Sequence, residues 1–156
     1  MLKLTKKADY GLIAMRHLAC CEDHAACSAK EIADCYGIPP EALAKILQRL
    51  VKAKLLISQH GINGGYGLAR EARSISAFEV ISAIEGPLFI TSCSTSHGDC
   101  VQSPKCTVRE PLRKVSETIQ QVLTRMKISD MLPEPHEAGP ATEPGFQPPA
   151  ELVTLS

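Results

Sequence analysis

Three cysteines lie close together in a segment rich in serine and glycine: Cys93, Cys100 and Cys106. Thiolates are ligands for zinc and for iron–sulfur clusters, and three of them in an irregular loop indicate a shared partner that orders it. Structural zinc sites usually contain two cysteines with about two to four residues between them, and this loop has no such pair. The spacing therefore favours an iron–sulfur cluster over zinc, with a redox-reactive thiol loop as the remaining alternative.

A cluster of this kind normally has four protein ligands, so a fourth donor is needed besides the three thiolates. His97 and Asp99 lie inside the loop itself. Asp9 is a further candidate, provided that the first helix of a partner subunit meets the loop. The alternative for Asp9 is a carboxylate that only stabilises the positive N-terminal end of its own helix.

The other cysteines lie in segments with helical patterns: Cys20, Cys21, Cys27 and Cys35. Each fits a small buried or half-buried residue better than a ligand. The total of seven is odd, which fits a reducing compartment better than a disulfide framework. No apolar run approaches the roughly 18 residues of a membrane span, and the charged start has no apolar signal-peptide region. We therefore expect a cytoplasmic protein with no membrane partner.

Helix start and stop signals in the first half predict a helix-turn-helix. Ser28 and Glu31 have the spacing of a capping box, Gly37 is typical of a helix C-cap, and Pro40 suits the first turn of the next helix. Two extended runs at 56–60 and 66–69 flank a turn rich in glycine and asparagine, which predicts a β-hairpin. The predicted fold is a winged helix, mainly α-helical with a small β-hairpin wing.

The second half predicts two more helices. A second capping box, Ser76 to Glu79, begins a helix that ends near Gly86, and a third, Thr107 to Glu110, is expected to begin a long helix. Apolar residues on the long helix alternate steps of four and three: Val108, Leu112, Val115, Ile119, Val122 and Met126. Such a heptad stripe needs a helical partner, so we predict a dimerisation helix in a homodimer. The alternative is that this helix packs against its own domain.

These elements divide the chain into four parts. They are a winged-helix DNA-binding domain (1–86), a cysteine loop that binds the cluster (87–107), a dimerisation helix (108–132) and an acidic, proline-rich tail (133–156). Low hydrophobicity and many prolines predict that the tail is disordered.

Basic residues are concentrated in the first 70 residues, which carry ten Lys and Arg against six Asp and Glu although the whole chain is neutral. A basic half is where a polyanion binds, and the predicted partner is a double-stranded DNA operator. Amide and guanidinium groups read base edges, while ammonium groups contact phosphates. The second helix of the helix-turn-helix has such groups opposite its apolar face: Lys45, Gln48, Arg49 and Lys52.

Other predicted DNA contacts come from the neighbouring segments. Ser28 and Lys30 lie at a helix N-terminus, where amides and the helix dipole can hold a phosphate. Glu41 or Ala44 is expected to adjust which bases are accepted, and His60 and Asn63 offer polar contacts from the wing. The alternative for the polar row on the second helix is a solvated charged face, and the alternative for His60 is an exposed histidine at the end of a strand.

The order of these motifs resembles the bacterial iron–sulfur winged-helix regulators of the Isc regulator and NsrR type. The resemblance covers residues 1–132 and includes Ser-Ala-Lys-Glu at 28–31, His-Gly-Ile-Asn-Gly-Gly-Tyr at 60–66, Ile-Glu-Gly-Pro at 84–87 and the cysteine trio. The start, Leu-Thr-Lys-Lys-Ala-Asp-Tyr-Gly at 4–11, is most similar to the subgroup that regulates SUF cluster assembly. The resemblance implies a homodimeric transcription factor whose cluster state alters operator affinity, with Cys93, Cys100 and Cys106 as ligands.

The resemblance also bears on the fourth ligand. The Isc regulator has a histidine ligand three residues after the last cysteine, and this chain has Arg109 there. NsrR-like proteins use an aspartate near the N-terminus of the partner chain, which corresponds to Asp9.

We therefore expect a regulator of cluster-assembly genes and not an enzyme, because the sequence has no nucleophile–base pair and no phosphate loop. The expected cofactor is a [2Fe–2S] cluster, with [4Fe–4S] as the alternative, and the cluster-assembly machinery is a further expected partner. Alternative functions are a repressor that responds to nitric oxide or redox state, and a cofactor-free winged-helix thiol switch.

Overall fold

Five α-helices and one β-hairpin make up the described part of the chain, which in this computed structural model comprises residues 3–21, 26–90 and 103–133. The elements in chain order are α1 (Lys6–Cys20), α2 (Ala29–Tyr36), α3 (Pro40–Lys52), β1 (Leu56–Gln59), β2 (Gly65–Leu68), α4 (Ala77–Glu85) and α5 (Arg109–Arg125). Short 3-10 turns lie at Ala72–Ser74, Ser103–Lys105 and Ile128–Met131. The predicted fold class, mainly helical with a small hairpin, is confirmed. None of the described helices is long and apolar enough to cross a membrane.

Local hydrogen bonds form α2 and the turn that follows it. The Ser28 N–H donates to the Glu31 carboxylate at 2.6 Å, and the Glu31 N–H donates to Ser28 Oγ at 3.2 Å. Gly37 ends α2 in the left-handed region, with φ of 63°, where a side chain would be strained. Pro40 then begins α3 at a position whose N–H needs no partner. The predicted helix-turn-helix is therefore present with its predicted caps.

The core lies between α1, α3 and α4, with aliphatic side chains in place of aromatic ones. It contains Met15 from α1, Leu43 and Leu47 from α3, and Ile81 from α4, all fully buried. A Cβ added to Gly11 of α1 would lie 2.1 Å from Ile84 Cδ1. Glycine therefore lets α1 and α4 approach each other closely.

The hairpin formed by β1 and β2, called the wing below, is joined to the start of the helix-turn-helix. Within the antiparallel hairpin, Leu56 pairs with Leu68 and Gln59 with Gly65. Outside it, the Cys27 N–H donates to the Tyr66 carbonyl at 3.1 Å, and the Tyr66 N–H donates to the Cys27 carbonyl at 2.8 Å. The segment before α2 therefore continues the sheet beyond β2 as an isolated bridge.

The start of α5 differs from the prediction of a third capping box. Val108 is the N-cap of α5, and no side chain caps the helix. Glu110 interacts instead with Arg113 one turn later, at 2.9 Å. The Glu110 carboxylate therefore forms an ion pair along the helix surface and not the predicted contact in which it accepts from the Thr107 N–H.

The end of α5 also differs from the prediction, since the helix stops at Arg125 and not at residue 132. The chain there turns back onto the winged helix: the Ala77 N–H donates to the Met126 carbonyl at 2.8 Å, and the Ile128 N–H donates to the Ile75 carbonyl at 2.9 Å. Arg16 Nε of α1 donates to the Met131 carbonyl at 2.8 Å. Ile128 is buried in the core just after the helix ends, so residues 126–131 pack with the winged helix and are not part of α5.

Replacing Ile128 by alanine should therefore destabilise the whole winged helix. Ile128 is fully buried, and truncation of such a side chain costs about 2–5 kcal/mol because it loses apolar burial and leaves a cavity. The free energy of unfolding is measured by urea titration followed by far-UV circular dichroism, at one fixed protein concentration. The matched control is Ile62→Ala at the fully exposed tip of the wing, which should change stability by less than about 0.5 kcal/mol. Equal losses in the two variants would contradict the assignment of Ile128 to the core.

Candidate nucleic-acid interface

Four of the nine predicted DNA contacts line one groove between the start of α2, the end of α3 and the wing. They are Ser28, Gln48, Lys52 and His60. The other residues that line this recognition groove come from the same elements: Ala29, Val51, Ser58, Gln59, Gly65 and Tyr66. Three chain segments therefore place amide, ammonium, hydroxyl and imidazole groups around one groove, and such groups can contact base edges and phosphates.

The other predicted contacts lie outside the lining of this groove, and all are exposed: Lys30, Glu41, Lys45, Arg49 and Asn63. Arg49 also has a partner inside the protein, since its Nη1 donates to the Ile84 carbonyl at 2.6 Å. That carbonyl lies in the last turn of α4, where the helix dipole favours a cation. A contact between Arg49 and DNA stays a prediction, and it would compete with this hydrogen bond.

The N-terminus of α2 is partly occupied by its own carboxylate. Hydrogen bonds from the Ser28 backbone and side chain hold the pKa of Glu31 below its usual range, so Glu31 is charged at neutral pH. A phosphate at this end would meet that negative charge, and it would need the exposed Lys30 side chain to offset it. The phosphate contact predicted for Ser28 and Lys30 therefore depends mainly on Lys30.

The predicted cluster ligands lie only partly within the described residues. Cys93 and Cys100 lie outside them, as do His97 and Asp99. Cys106 is half-buried between the 3-10 turn at 103–105 and the start of α5. Asp9 is exposed in the first turn of α1. The assignment of these residues as ligands remains a prediction.

A group of possible metal ligands that the sequence analysis missed lies at the C-terminal end of α1. The ligand atoms of His17, Cys21 and Cys27 all lie within 4.8 Å of one another, and the two sulfurs are 2.7 Å apart. Burial and the neighbouring Cys21 thiol raise the pKa of Cys27 to about 12. The spacing of four between His17 and Cys21 could have indicated a shared helix face, but nothing local brings Cys27 to them.

Fold and groove together define a winged-helix DNA-binding protein. The chain belongs to the Rrf2 family, described as iron-dependent transcriptional regulators, whose family model matches residues 4–134. Members of this family bind DNA and are regulators, not enzymes, so the resemblance stated from the sequence and the expectation of no enzyme activity are confirmed.

Solved structures agree with this assignment. IscR from T. potens is 32% identical, with a TM-score of 0.67 over 83% of this chain and 85% of that one. CymR (YrzC), the global cysteine regulator of B. subtilis, is 27% identical, with a TM-score of 0.68 over 84% and 96% of the two chains. The oxidised form of CymR from Staphylococcus aureus is 25% identical, with a TM-score of 0.65 over 83% and 95%. Because a cysteine regulator and IscR are both similar, family membership alone does not assign the signal.

The approach of the wing to the start of the helix-turn-helix predicts that Gly65→Ala destabilises the protein. A Cβ at Gly65 would lie 2.5 Å from the Cys27 carbonyl oxygen, a backbone atom that cannot move without breaking the bridge. We expect a loss of about 1–3 kcal/mol, as for other overpacked sites, measured by urea unfolding. Gly67→Ala in the same strand is the control, because its Cβ would meet only Ile57 Cγ1 at 3.8 Å. A Gly65→Ala variant as stable as Gly67→Ala would show that the bridge is absent in solution.

Proposed function

We propose that this protein is a cytoplasmic, homodimeric transcriptional regulator that binds operator DNA through the recognition groove and senses the status of an iron–sulfur cluster. Its proposed targets are cluster-assembly genes of the SUF or Isc type. The observation that carries the DNA-binding part is the recognition groove, where α3 and the wing present polar and basic groups together. The similarity to IscR supports the cluster-sensing part.

Base reading is assigned to Gln48 and phosphate contact to Lys52. Both lie on the exposed side of α3, one turn apart, and both line the recognition groove. A glutamine amide can donate to and accept from an adenine edge, whereas an ammonium group is a point charge that suits a phosphate. His60, which directly follows β1, would contact the DNA backbone from the wing side.

The homodimer is supported by the unsatisfied apolar face of α5. Within the described residues, α5 and its N-cap have no buried side chain, and valines at intervals of seven are about half exposed: Val108 at 58%, Val115 at 48% and Val122 at 53%. Seven residues are about two helical turns, so these side chains form one row along the helix. A second copy of α5 would cover this row.

The donor set fits an iron–sulfur cluster. Cys93, Cys100 and Cys106 would supply three thiolates, and Asp9 of the partner subunit is the proposed fourth ligand, with [2Fe–2S] favoured over [4Fe–4S]. When bound, such a cluster would crosslink its ligand residues, and its presence would depend on iron, oxygen or nitric oxide. Because Cys106 is half-buried next to the start of α5, this crosslink would lie beside the proposed dimer helix.

In this proposal α5 would pass a change in the cysteine loop to the DNA-binding unit. Near the middle of α5, Gln120 Nε2 donates to the Leu88 carbonyl at 3.0 Å, and at its end the Met126 carbonyl accepts from Ala77 of α4. A displacement of α5 would therefore be passed to α4. In a dimer this would change the spacing of the two recognition helices, and half-site spacing is a determinant of operator binding.

A second candidate function is a cofactor-free regulator that responds through thiols. It is favoured by the similarity to CymR, a cysteine regulator with a structure in an oxidised form, and by the contact between Cys21 and Cys27.

The DNA assignment predicts different effects for Lys52→Ala and Gln48→Ala. A preferred duplex is first selected from a random-sequence pool with the wild-type protein, and affinities are then measured by fluorescence anisotropy at several salt concentrations. Lys52→Ala should weaken binding to all sequences and reduce the slope of log K against log salt by about 1, because one phosphate contact is lost. Gln48→Ala should cost about 1–3 kcal/mol on the preferred duplex only, since it removes base readout.

Lys7→Ala is the matched control, because Lys7 is exposed on α1 and does not line the recognition groove. It should leave both the affinity and the salt slope close to those of the wild type. If Lys7→Ala and Lys52→Ala reduced the slope equally, the groove would not be the DNA-binding surface.

The cluster assignment predicts that anaerobically purified protein is coloured, with stoichiometric iron and sulfide. Cys106→Ala should abolish the visible absorption, because one of the three thiolate ligands is lost, while far-UV circular dichroism stays unchanged. Asp9→Ala should alter the EPR spectrum of the reduced cluster or its stability in air, since it would remove the fourth ligand.

Cys35→Ala is the control, because Cys35 is exposed on α2 and should not affect the chromophore. A colourless wild-type protein that retains stoichiometric zinc would overturn the cluster proposal. It would leave the DNA-binding proposal intact.

A further inference from the structure

We propose that His17, Cys21 and Cys27 form a second metal site, separate from the cysteine loop, for a soft cation of the Zn²⁺ class. We call these three residues the thiol site. The inference does not depend on the proposed cluster, because none of the three residues lies in the cysteine loop.

The three ligands come from two segments that the fold holds together. His17 is in the last turn of α1 and Cys21 is its C-cap, whose N–H donates to the His17 carbonyl at 3.2 Å. Residues four apart on a helix lie on the same face, so both side chains project to one side. Cys27 is placed opposite them by its two backbone hydrogen bonds to Tyr66. The ligand atoms are therefore gathered by the backbone before any metal binds.

Two thiolates and one imidazole are donors that select zinc or another soft cation over magnesium or calcium. A divalent cation bound by two thiolates and a neutral imidazole has a local net charge of zero, which suits a half-buried position. All three ligand residues are half-buried, which leaves access for the ion and for a water as fourth ligand.

His17 already has the outer hydrogen bond that metal-binding histidines usually have. Its Nδ1 lies 3.1 Å from Tyr36 Oη, at the C-terminal end of α2. With Nδ1 held in this way, Nε2 would be the nitrogen that binds the metal, and the contact would fix the ring orientation. The Tyr36 ring also packs edge-on against the imidazole, with ring centroids 5.5 Å apart.

Metal binding requires one adjustment of the side chains. Zn–S bonds of about 2.3 Å place two thiolates roughly 3.7 Å apart on a tetrahedral ion, whereas the Cys21 and Cys27 sulfurs are 2.7 Å apart. They must separate by about 1 Å, which a rotation about the Cα–Cβ bond of Cys21 can supply.

The bound ion would crosslink three parts of the DNA-reading unit. It would join the end of α1 to the residue before Ser28, which caps α2, and through the Cys27–Tyr66 bridge to the wing. Because Ser28 and Tyr66 both line the recognition groove, occupancy of the thiol site would fix two of its three walls.

The test uses Co²⁺ as the spectroscopic probe, in full-length protein in which Cys93, Cys100 and Cys106 are replaced by serine. We expect one Co²⁺ per chain, with thiolate-to-metal charge-transfer absorption and the visible bands of a tetrahedral site. Cys21→Ser and Cys27→Ser should each remove the charge-transfer bands or halve their intensity. Tyr36→Phe should weaken Co²⁺ binding by roughly tenfold without changing the number of thiolates, as for other outer-shell contacts.

Cys20→Ser is the matched control, because Cys20 is adjacent in sequence but exposed and outside the thiol site, so its spectrum should equal that of the parent. Absence of Co²⁺ binding, or loss of two thiols to a disulfide in air with no metal bound, would overturn the metal site. Should the triple variant fail to fold, zinc analysis of the otherwise unaltered protein decides the question. Cys27→Ser must then contain one zinc fewer per chain than Cys20→Ser, and equal contents would contradict the proposal.

Discussion

The two backbone hydrogen bonds between Cys27 and Tyr66 determine how the functional surfaces of this protein are assembled. They attach the wing to Cys27, the residue that precedes the α2 cap, so the start of α2 lies directly beside the wing. The recognition groove exists because of this attachment, and so does the meeting of Cys27 with the end of α1. The bond pair also explains why position 65 is glycine, since any side chain there would strike the Cys27 backbone. One strand-like contact thus creates both the recognition groove and the group formed by His17, Cys21 and Cys27.

Features controlled by neighbours in sequence could be predicted well. The capping boxes at Ser28 and Ser76 and the left-handed Gly37 depend on contacts within about four residues, and the structure contains all three. Thr107 shows the limit of this reasoning, because its capping motif competed with an ion pair of Glu110 with Arg113. The same local signals suffice for a helix-turn-helix and a hairpin, which together define the family fold.

Features that depend on distant segments could not be predicted. The heptad pattern of α5 runs through Met126, yet Ile128 inserts into a core formed some fifty residues earlier in the chain, beside Ile75. Cys21 and Cys27 are six positions apart in the sequence, but the contact between them is fixed by Tyr66 in the wing. Arg49 similarly has the spacing of a DNA contact, while its internal acceptor lies in α4. For the site, the sequence could indicate the polar row on α3 but not which members face the groove.

The packing of the helices suggests that the two proposed metal sites would affect DNA binding in different ways. Close approach of α1 to α4 at Gly11 and the hydrogen bond from Arg49 to Ile84 join α1, α3 and α4 into one unit. A shift of α5, passed through Ala77, would therefore move this unit as a whole and change the distance between the two recognition helices of a dimer. An ion at the thiol site would instead act on the junction of α1, α2 and the wing. A shift of α5 would alter which half-site spacing is accepted. An ion at the thiol site would alter the affinity for each half-site. The two effects would therefore act on different structural elements and could combine.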